Sequence, residues 1–416
     1  MTTQATKPSQ TTQTTPYPKT PLRKIGPFLL IGNLGFLVTT SVNQNLIQAM
    51  LAQIDEDAKV ANFTLIAIAG SVTQVIGSVL FGALSDRTTS RFGRRNPWIL
   101  GGGLAASATI ATISLANSYA VILALWIIAT FAISAFTAPM VAIIADRVAE
   151  DQVARASMFA GIGQVISLLF NGILVSLVIT MPRAGLLILA WPIAIAGVLV
   201  FFFTKDYQVK EVQASRSFRE TVESLRPANS SDLYWAVFGR FLLMLAVHLL
   251  FHFQQYMLTD HMGLSVKGAG QAMAVSGLFV GVFGGASGIA SGILSDRMGR
   301  RKPFLYFASA VLVMGYLPLM FSTNQMAFYL WAACSALAFG VVMSVDQALL
   351  VDILPNKDNG GRDLGILNVA NPASSILSPA VAGFLIGMSG YPAMFLAAII
   401  FAVVAAFCIV PIKSAR

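Results

Sequence analysis

Four ionisable side chains interrupt the apolar stretches of this chain: Arg240, His248, His252 and Asp346. Charge is costly inside a bilayer, so such residues mark ion or solute pathways. Arg240 stands seven residues into the seventh apolar stretch and Asp346 six before the end of the tenth, which puts each about 10 Å deep at 1.5 Å per residue. Equal depth and opposite sign suit a pair; the alternative is that Arg240 snorkels to headgroups and Asp346 caps a loop. At 100° per residue, His248, His252 and Gln255 lie roughly 80°, 120° and 60° from Arg240 on one helix face. If protons move along such a pathway, Asp346 is the candidate carrier, with Arg240 as its charge partner and His248 as a second titratable group. The His248 and His252 spacing suits two metal ligands, but no third ligand is near in sequence and no metal or cofactor is expected.

Uncharged polar residues make a second pattern. Asn33, Thr40, Ser41, Gln44 and Gln48 form one stripe in the first stretch, and Asn368, Asn371 and Ser375 another in the eleventh, with Gln74, Thr137, Gln164 and Asn171 between. Some of these glue helices together. As a set they suit a neutral, hydroxyl-rich ligand better than an anion. Asn33, Gln44, Gln48, Gln164, His248, His252, Gln255, Asn368 and Asn371 are therefore the candidate solute-binding residues. Phe36, Trp126, Phe251, Tyr256 and Trp331 offer flat faces for stacking, or pack in the core.

Positioning these residues requires membrane helices. The chain has 416 residues, 56% hydrophobic and 11% charged, with mean hydropathy +0.74, which excludes a water-soluble globule. Twelve stretches of roughly 20 residues can each cross ~30 Å of hydrocarbon. They start near residues 27, 61, 98, 120, 158, 185, 233, 266, 304, 326, 364 and 391. With both termini cytoplasmic, 23 of the 27 Lys and Arg fall on the inner side, leaving Lys59, Arg183 and Lys267 outside and Arg240 within a span. The net charge of +9 therefore fits lipid headgroups and needs no nucleic acid. Residues 1–26 read as a disordered cytoplasmic tail, 204–232 as a cytoplasmic linker and 413–416 as a short tail. Cys334 and Cys408 lie in apolar segments and read as small packing residues.

The polar loops show that the chain is duplicated. GALSDRTTSRFGRRNP, from Gly82, returns as GILSDRMGRRKP from Gly292, and Asp146 with Arg155 returns as Asp352 with Arg362. Two six-helix halves, 27–203 and 233–412, follow from this repeat, a recognised plan for secondary transporters. Gly82 and Gly292 are placed to allow close helix approach.

These loops resemble the signature of the major facilitator superfamily, Gly-x-Leu-x-Asp-Arg-x-Gly-Arg-Arg between helices 2 and 3 and again between 8 and 9. SDRTTSRFGRRNPW and the stretch DQALLVDILPNKDNGGRDLGILNVANPASSILSP from Asp346 to Pro379 further resemble its sucrose and glycoside proton-symporter branch. The resemblance implies an all-α membrane protein with twelve transmembrane helices in two pseudo-symmetric halves, helices 1, 4, 7 and 10 around a central cavity, and a monomer in the cell membrane. It also implies a gate: Asp86, Arg87, Arg91, Arg94, Arg95, Asp146 and Arg155, with Asp296, Arg297, Arg300, Arg301, Asp352 and Arg362, hold the cytoplasmic side closed in the outward-facing state. The alternative for these residues is loop topology alone.

One departure matters. Sodium-coupled relatives carry acids within helices 2 and 4, and plant-type sucrose carriers within helix 4; this chain has none in 61–81 or 120–145. Sodium coupling is not expected, and proton coupling falls to the second half. The expected function is proton-coupled symport of a small polar solute, a sugar or glycoside, by alternating access. A proton-coupled efflux antiporter of drugs or metabolites is the alternative on the same fold, and a non-transporting receptor or sensor the alternative from another class. An enzyme is not expected: the chain has no phosphate loop, no His-Glu-x-x-His and no Gly-x-Ser-x-Gly.

Overall fold

Backbone polar groups have no water to bond in hydrocarbon, so apolar stretches of this length must satisfy their own N–H and C=O groups as helices. They do so in the computed structural model, which describes residues 19–204, 231–352 and 360–412, with the side chains of 145, 150, 154, 346–352 and 360–369 outside the description. No strand occurs among the described residues. The first half comprises α1 (Leu22–Ile54), α2 (Lys59–Arg87), α3 (Asn96–Ile113), α4 (Tyr119–Arg147), α5 (Val153–Val178) and a sixth span broken before Pro192 into α6 (Pro182–Leu189) and α7 (Pro192–Phe203).

The second half begins with α8 (Ser231–Phe251), which continues through irregular turns to His261. The eighth span is α9 (Val266–Phe279) and α10 (Gly285–Met298), joined by a widened turn over Val280–Gly284, where glycines weaken the regular ladder. Then follow α11 (Lys302–Phe321), α12 (Gln325–Asp352), α13 (Gly360–Ser389) and α14 (Tyr391–Ile409).

Eleven helical stretches among the described residues are long and apolar enough to cross a membrane. The twelfth is α3, whose polar Asn96 and the run Gly101–Gly103 make it less apolar, yet its 18 residues still reach about 27 Å. Helices α1 and α5 start five residues before their expected positions, at Leu22 and Val153, and the other spans start within four. Polar residues such as Arg23 and Lys24 are solvated at the interface, so a helix runs on past its apolar core. The expected disordered tail therefore gives way to helix at Leu22, not at 27. The linker expected at 204–232 lies outside the described residues between 205 and 230.

The halves meet along two seams, α2 against α13 and α5 against α9. Glycine permits the contact: a Cβ at Gly172 would overlap the Met273 carbonyl, and one at Gly383 would overlap the Thr64 side chain.

Candidate functional site

The loop after α2 turns sharply at Gly93, with φ of 95°, and its repeat turns at Gly299, with φ of 61°. Both values need glycine. The first turn delivers Arg95 between two helix ends: its guanidinium donates to Ser85 Oγ at 2.5 Å, meets Asp86 Oδ1 at 2.6 Å and donates to Asp146 Oδ2 at 2.9 Å. Arg94 also donates to Asp146 Oδ2, at 2.6 Å. Burial raises the Asp146 pKa, but the two guanidiniums outweigh it and hold the carboxyl below its ordinary 3.8. The repeat reproduces the arrangement, with Arg301 donating to Ser295 Oγ at 2.9 Å and Asp296 Oδ1 at 2.6 Å. The ion pairs described at this end each stay within one half.

Arg147, fully buried, donates to Asn96 Oδ1 at 2.9 Å and ties α4 to α3. Arg147 is a functional residue beyond the expected set, and its one sign in the chain is its place directly after Asp146 at a helix end. Arg87, Arg91, Arg297 and Arg300 are exposed, and Arg91 lies over the Phe92 ring. Arg155 is exposed at the start of α5 beside Arg23. Asp352 and Arg362 lie outside the described side chains. Gly292 does allow close approach, since a Cβ there would come within 2.6 Å of Ser344 Oγ; Gly82 faces open space, which corrects the expectation that both glycines serve packing.

At the opposite end, where α1 stops and α2 begins, the bonds cross between halves. Lys59 Nζ pairs with Asp260 Oδ1 at 2.7 Å and with Glu56 at 2.5 Å, and it stands 5.3 Å from the Tyr256 ring centre. Tyr391 donates to Asp260 Oδ2 at 3.1 Å. Phe63 meets Phe253 and Tyr256 edge-on. Tyr256 donates to the Gln48 carbonyl at 2.9 Å. Gln255, in the amide orientation that satisfies both atoms, donates to the Asn45 carbonyl at 2.7 Å and accepts from Ala49 N–H at 3.3 Å. Along the chain Lys59 stands out only as an outer charge and Asp260 not at all, because residues 201 apart carry no local sign of pairing.

Between the two ends lies the cavity. Gln44 donates to His252 Nδ1 at 3.1 Å and Gln48 donates to the His252 carbonyl at 2.9 Å, both across the halves. Asn171 of α5 joins them in the lining. His248 faces an adjoining compartment; Ser374 gives its hydroxyl hydrogen to the Asn371 carbonyl, so His248 Nδ1–H is the donor to Ser374 Oγ at 3.2 Å. Phe251 and Trp331 border the cavity, whereas Trp126 is core and Tyr256 belongs to the seam. Gln164 is exposed on α5, on the face of Leu168 and Asn171 but nearer the loop end. Asn33 donates to its own helix at Leu29. Arg240 is buried on α8; Asp346, on α12, and Asn368, on α13, lie outside the described side chains. The described cavity lining comes from spans 1, 5, 7, 8 and 10 rather than from 1, 4, 7 and 10.

The Lys59 and Asp260 pair predicts a first result. Lys59→Met should weaken closure at this end by about 1–2 kcal/mol, a factor of roughly 5–30 in the ratio of open to closed forms. Spin labels on cysteines at positions 57 and 267 should then report a larger population of long distances; an unchanged distribution would show that the pair does not hold the halves together.

Comparison with known proteins places this architecture. Residues 29–291 and 280–415 match the family described as the Major Facilitator Superfamily. No curated protein sequence matches this chain. Among solved structures, the nucleoside transporter NupG has a TM-score of 0.71 at 14% identity, covering 94% of this chain and 99% of that one. A D-xylose-proton symporter has 0.70 at 14%, covering 94% and 98%. A bacterial homologue of the human lysosomal transporter Spinster, in an inward-facing and occupied conformation, has 0.71 at 14%, covering 96% and 98%. At this identity they show the fold, which is the twelve-helix fold described above. With a family match spanning both halves, the chain belongs to the major facilitator superfamily and is a secondary transporter.

Proposed function

We propose that the protein moves a small neutral polar solute, a sugar or glycoside, across the cell membrane by proton-coupled symport. The observation that carries this reading is the cavity between the halves, whose described lining combines Gln44, Gln48, Asn171 and His252 with no Asp, Glu, Lys or Arg. A charged solute would enter such a site without a counter-charge and lose its hydration. The fold likeness to a D-xylose-proton symporter is compatible with this reading.

In the proposed orientation both termini are cytoplasmic, so the Lys59 and Asp260 end faces outward and is shut, and the cavity opens inward. The Arg95 and Arg301 clusters then sit on the inner face, where they take new partners when the halves rock and that face closes. Asp346 carries the proton and pairs with Arg240 when ionised. The protein works as a monomer in contact with lipids.

Two experiments test this. Uptake of radiolabelled sugar into proteoliposomes should rise when an inward pH gradient is imposed; uptake indifferent to the gradient would remove proton coupling. An impermeant thiol reagent applied from outside the cell should label a cysteine at position 57 or 265 and spare one at 89. The reverse pattern would end the orientation and with it the gate assignments.

A further inference from the structure

The central cavity consists of two unlike compartments that meet along Leu168, Phe251, Gln254, Ser276 and Val280. The smaller, about 40 Å³, straddles the seam between the halves and has room for a few hydroxyls. In it Gln48 Oε1, Asn171 Oδ1 and His252 Nε2 are buried without a hydrogen-bond partner. Because Gln44 donates to His252 Nδ1, the neutral ring carries its proton on Nε2. The seam compartment therefore holds two unused acceptors and one unused donor, drawn from both halves. Each unsatisfied group lacks the bond it would make in water, a cost that a solute with complementary hydroxyls would relieve.

The larger compartment, about 210 Å³, belongs to the second half apart from Leu168. Its walls are mostly Val247, Phe251, Trp331, Ala332, Ala336 and Phe339, with His248, Gln254, Ser276 and Ser335 adding polar atoms, of which Ser335 Oγ, like Trp331 Nε1, is buried without a partner. A dry apolar cavity of about 150 Å³ is enough to hold a benzene ring. Trp331 Nε1 and Ser335 Oγ could each meet one polar group, but a solute covered in hydroxyls would leave most of them unpaired against the carbon of this wall, whereas a flat apolar ring would bury its area against Trp331 and the phenylalanines.

We propose that the solute is a neutral two-part molecule, a hydroxylated head joined to an uncharged aromatic ring, with hydroxyls of the head reaching into the narrow seam and the ring in the larger compartment of the second half. This deepens the proposed function and rests on its reading of the cavity as the solute site, but not on proton coupling. The head touches both halves and so reports occupancy to the rocking motion. The ring travels with one half, so it contributes affinity without opposing movement.

The test is binding to the purified full-length protein by calorimetry, with no gradient, using phenyl β-D-glucopyranoside, glucose and 4-carboxyphenyl β-D-glucopyranoside. Phenyl glucoside should bind about tenfold or more tighter than glucose, and the carboxylate should lose most of that advantage. Ala332→Phe, which fills the larger compartment, should abolish the preference, so that the variant binds phenyl glucoside and glucose alike; Ala336→Leu serves if that variant does not fold. Asn171→Ala should weaken both sugars. Equal binding of glucose and phenyl glucoside, equal binding of the carboxylate, or no binding of any probe would overturn the proposal. Selective phenyl glucoside binding in a protein whose uptake ignores pH would instead leave the two-part site standing and remove the coupling.

Discussion

Asp146→Ala is expected to lower the stability of the protein by about 3 kcal/mol, at the low end of the range for breaking a buried ion pair. The loss arises because Arg94 and Arg95, 6% and 4% exposed, both donate to the same carboxylate oxygen. Arg95 keeps Asp86 and Ser85, which limits the damage. Thermal unfolding in detergent should show the drop, and a Tm equal to that of the wild type would mean that the cluster adds nothing to the fold. Acid acts on the same group. Its folded pKa lies below the ordinary 3.8, so its stabilisation is complete above that value and is lost as pH falls through the folded pKa. Asp86→Asn is the contrasting case: Asp86 is 41% exposed, so its loss should cost under about 1 kcal/mol, and the proposed gate would show instead as slower turnover in a normally folded protein.

The largest functional effect is expected at Asp346. A proton carrier must titrate, and no other Asp or Glu is present within the apolar cores of the expected spans. In the proposed proton-coupled cycle, Asp346→Asn should abolish accumulation driven by a pH gradient while retaining counterflow exchange, which moves no net proton. The proposed pairing with Arg240 adds a second arm. Arg240→Ala or Asp346→Ala alone would leave a buried charge uncompensated, at roughly 3–5 kcal/mol, whereas the double change should recover much of the folding yield. Accumulation that survives Asp346→Asn would move the carrier elsewhere, with His248 next to be tested.

The duplicated loops illustrate what a linear reading reaches. Gly-x-Leu-Ser-Asp-Arg and Gly-Arg-Arg recur, so equivalent positions in the two halves had to be equivalent in space. Ser85 with Arg95 and Ser295 with Arg301 show the same bond twice. The role of Gly82 was not legible in this way, because whether a neighbour stands over a glycine depends on helix rotation, which a twofold repeat in sequence does not specify.

Within the cavity, the stripe from Asn33 to Gln48 was visible as a helix face, but its members separate in the fold. Gln44 and Gln48 reach His252 across the seam, while Asn33 turns back on its own helix. Gln255 shares a helix face with the histidines on paper, yet α8 loses regularity after Phe251, and the side chain ends in the seam. A constant 100° per residue fails once a helix widens its turns.

Twelve membrane spans, two repeated halves, and charge confined to loops and a few intramembrane sites were all legible along the chain. Length, hydropathy and repetition are local properties, and the cost of burying backbone or charge in hydrocarbon converts them directly into helices and loops. That Lys59 meets Asp260 across the halves, and that the described cavity divides into a polar seam and a mostly apolar compartment, emerged with the three-dimensional arrangement alone. Those depend on how two rigid halves lean and rotate against each other, and contacts between residues some 200 positions apart leave no periodic trace in the chain.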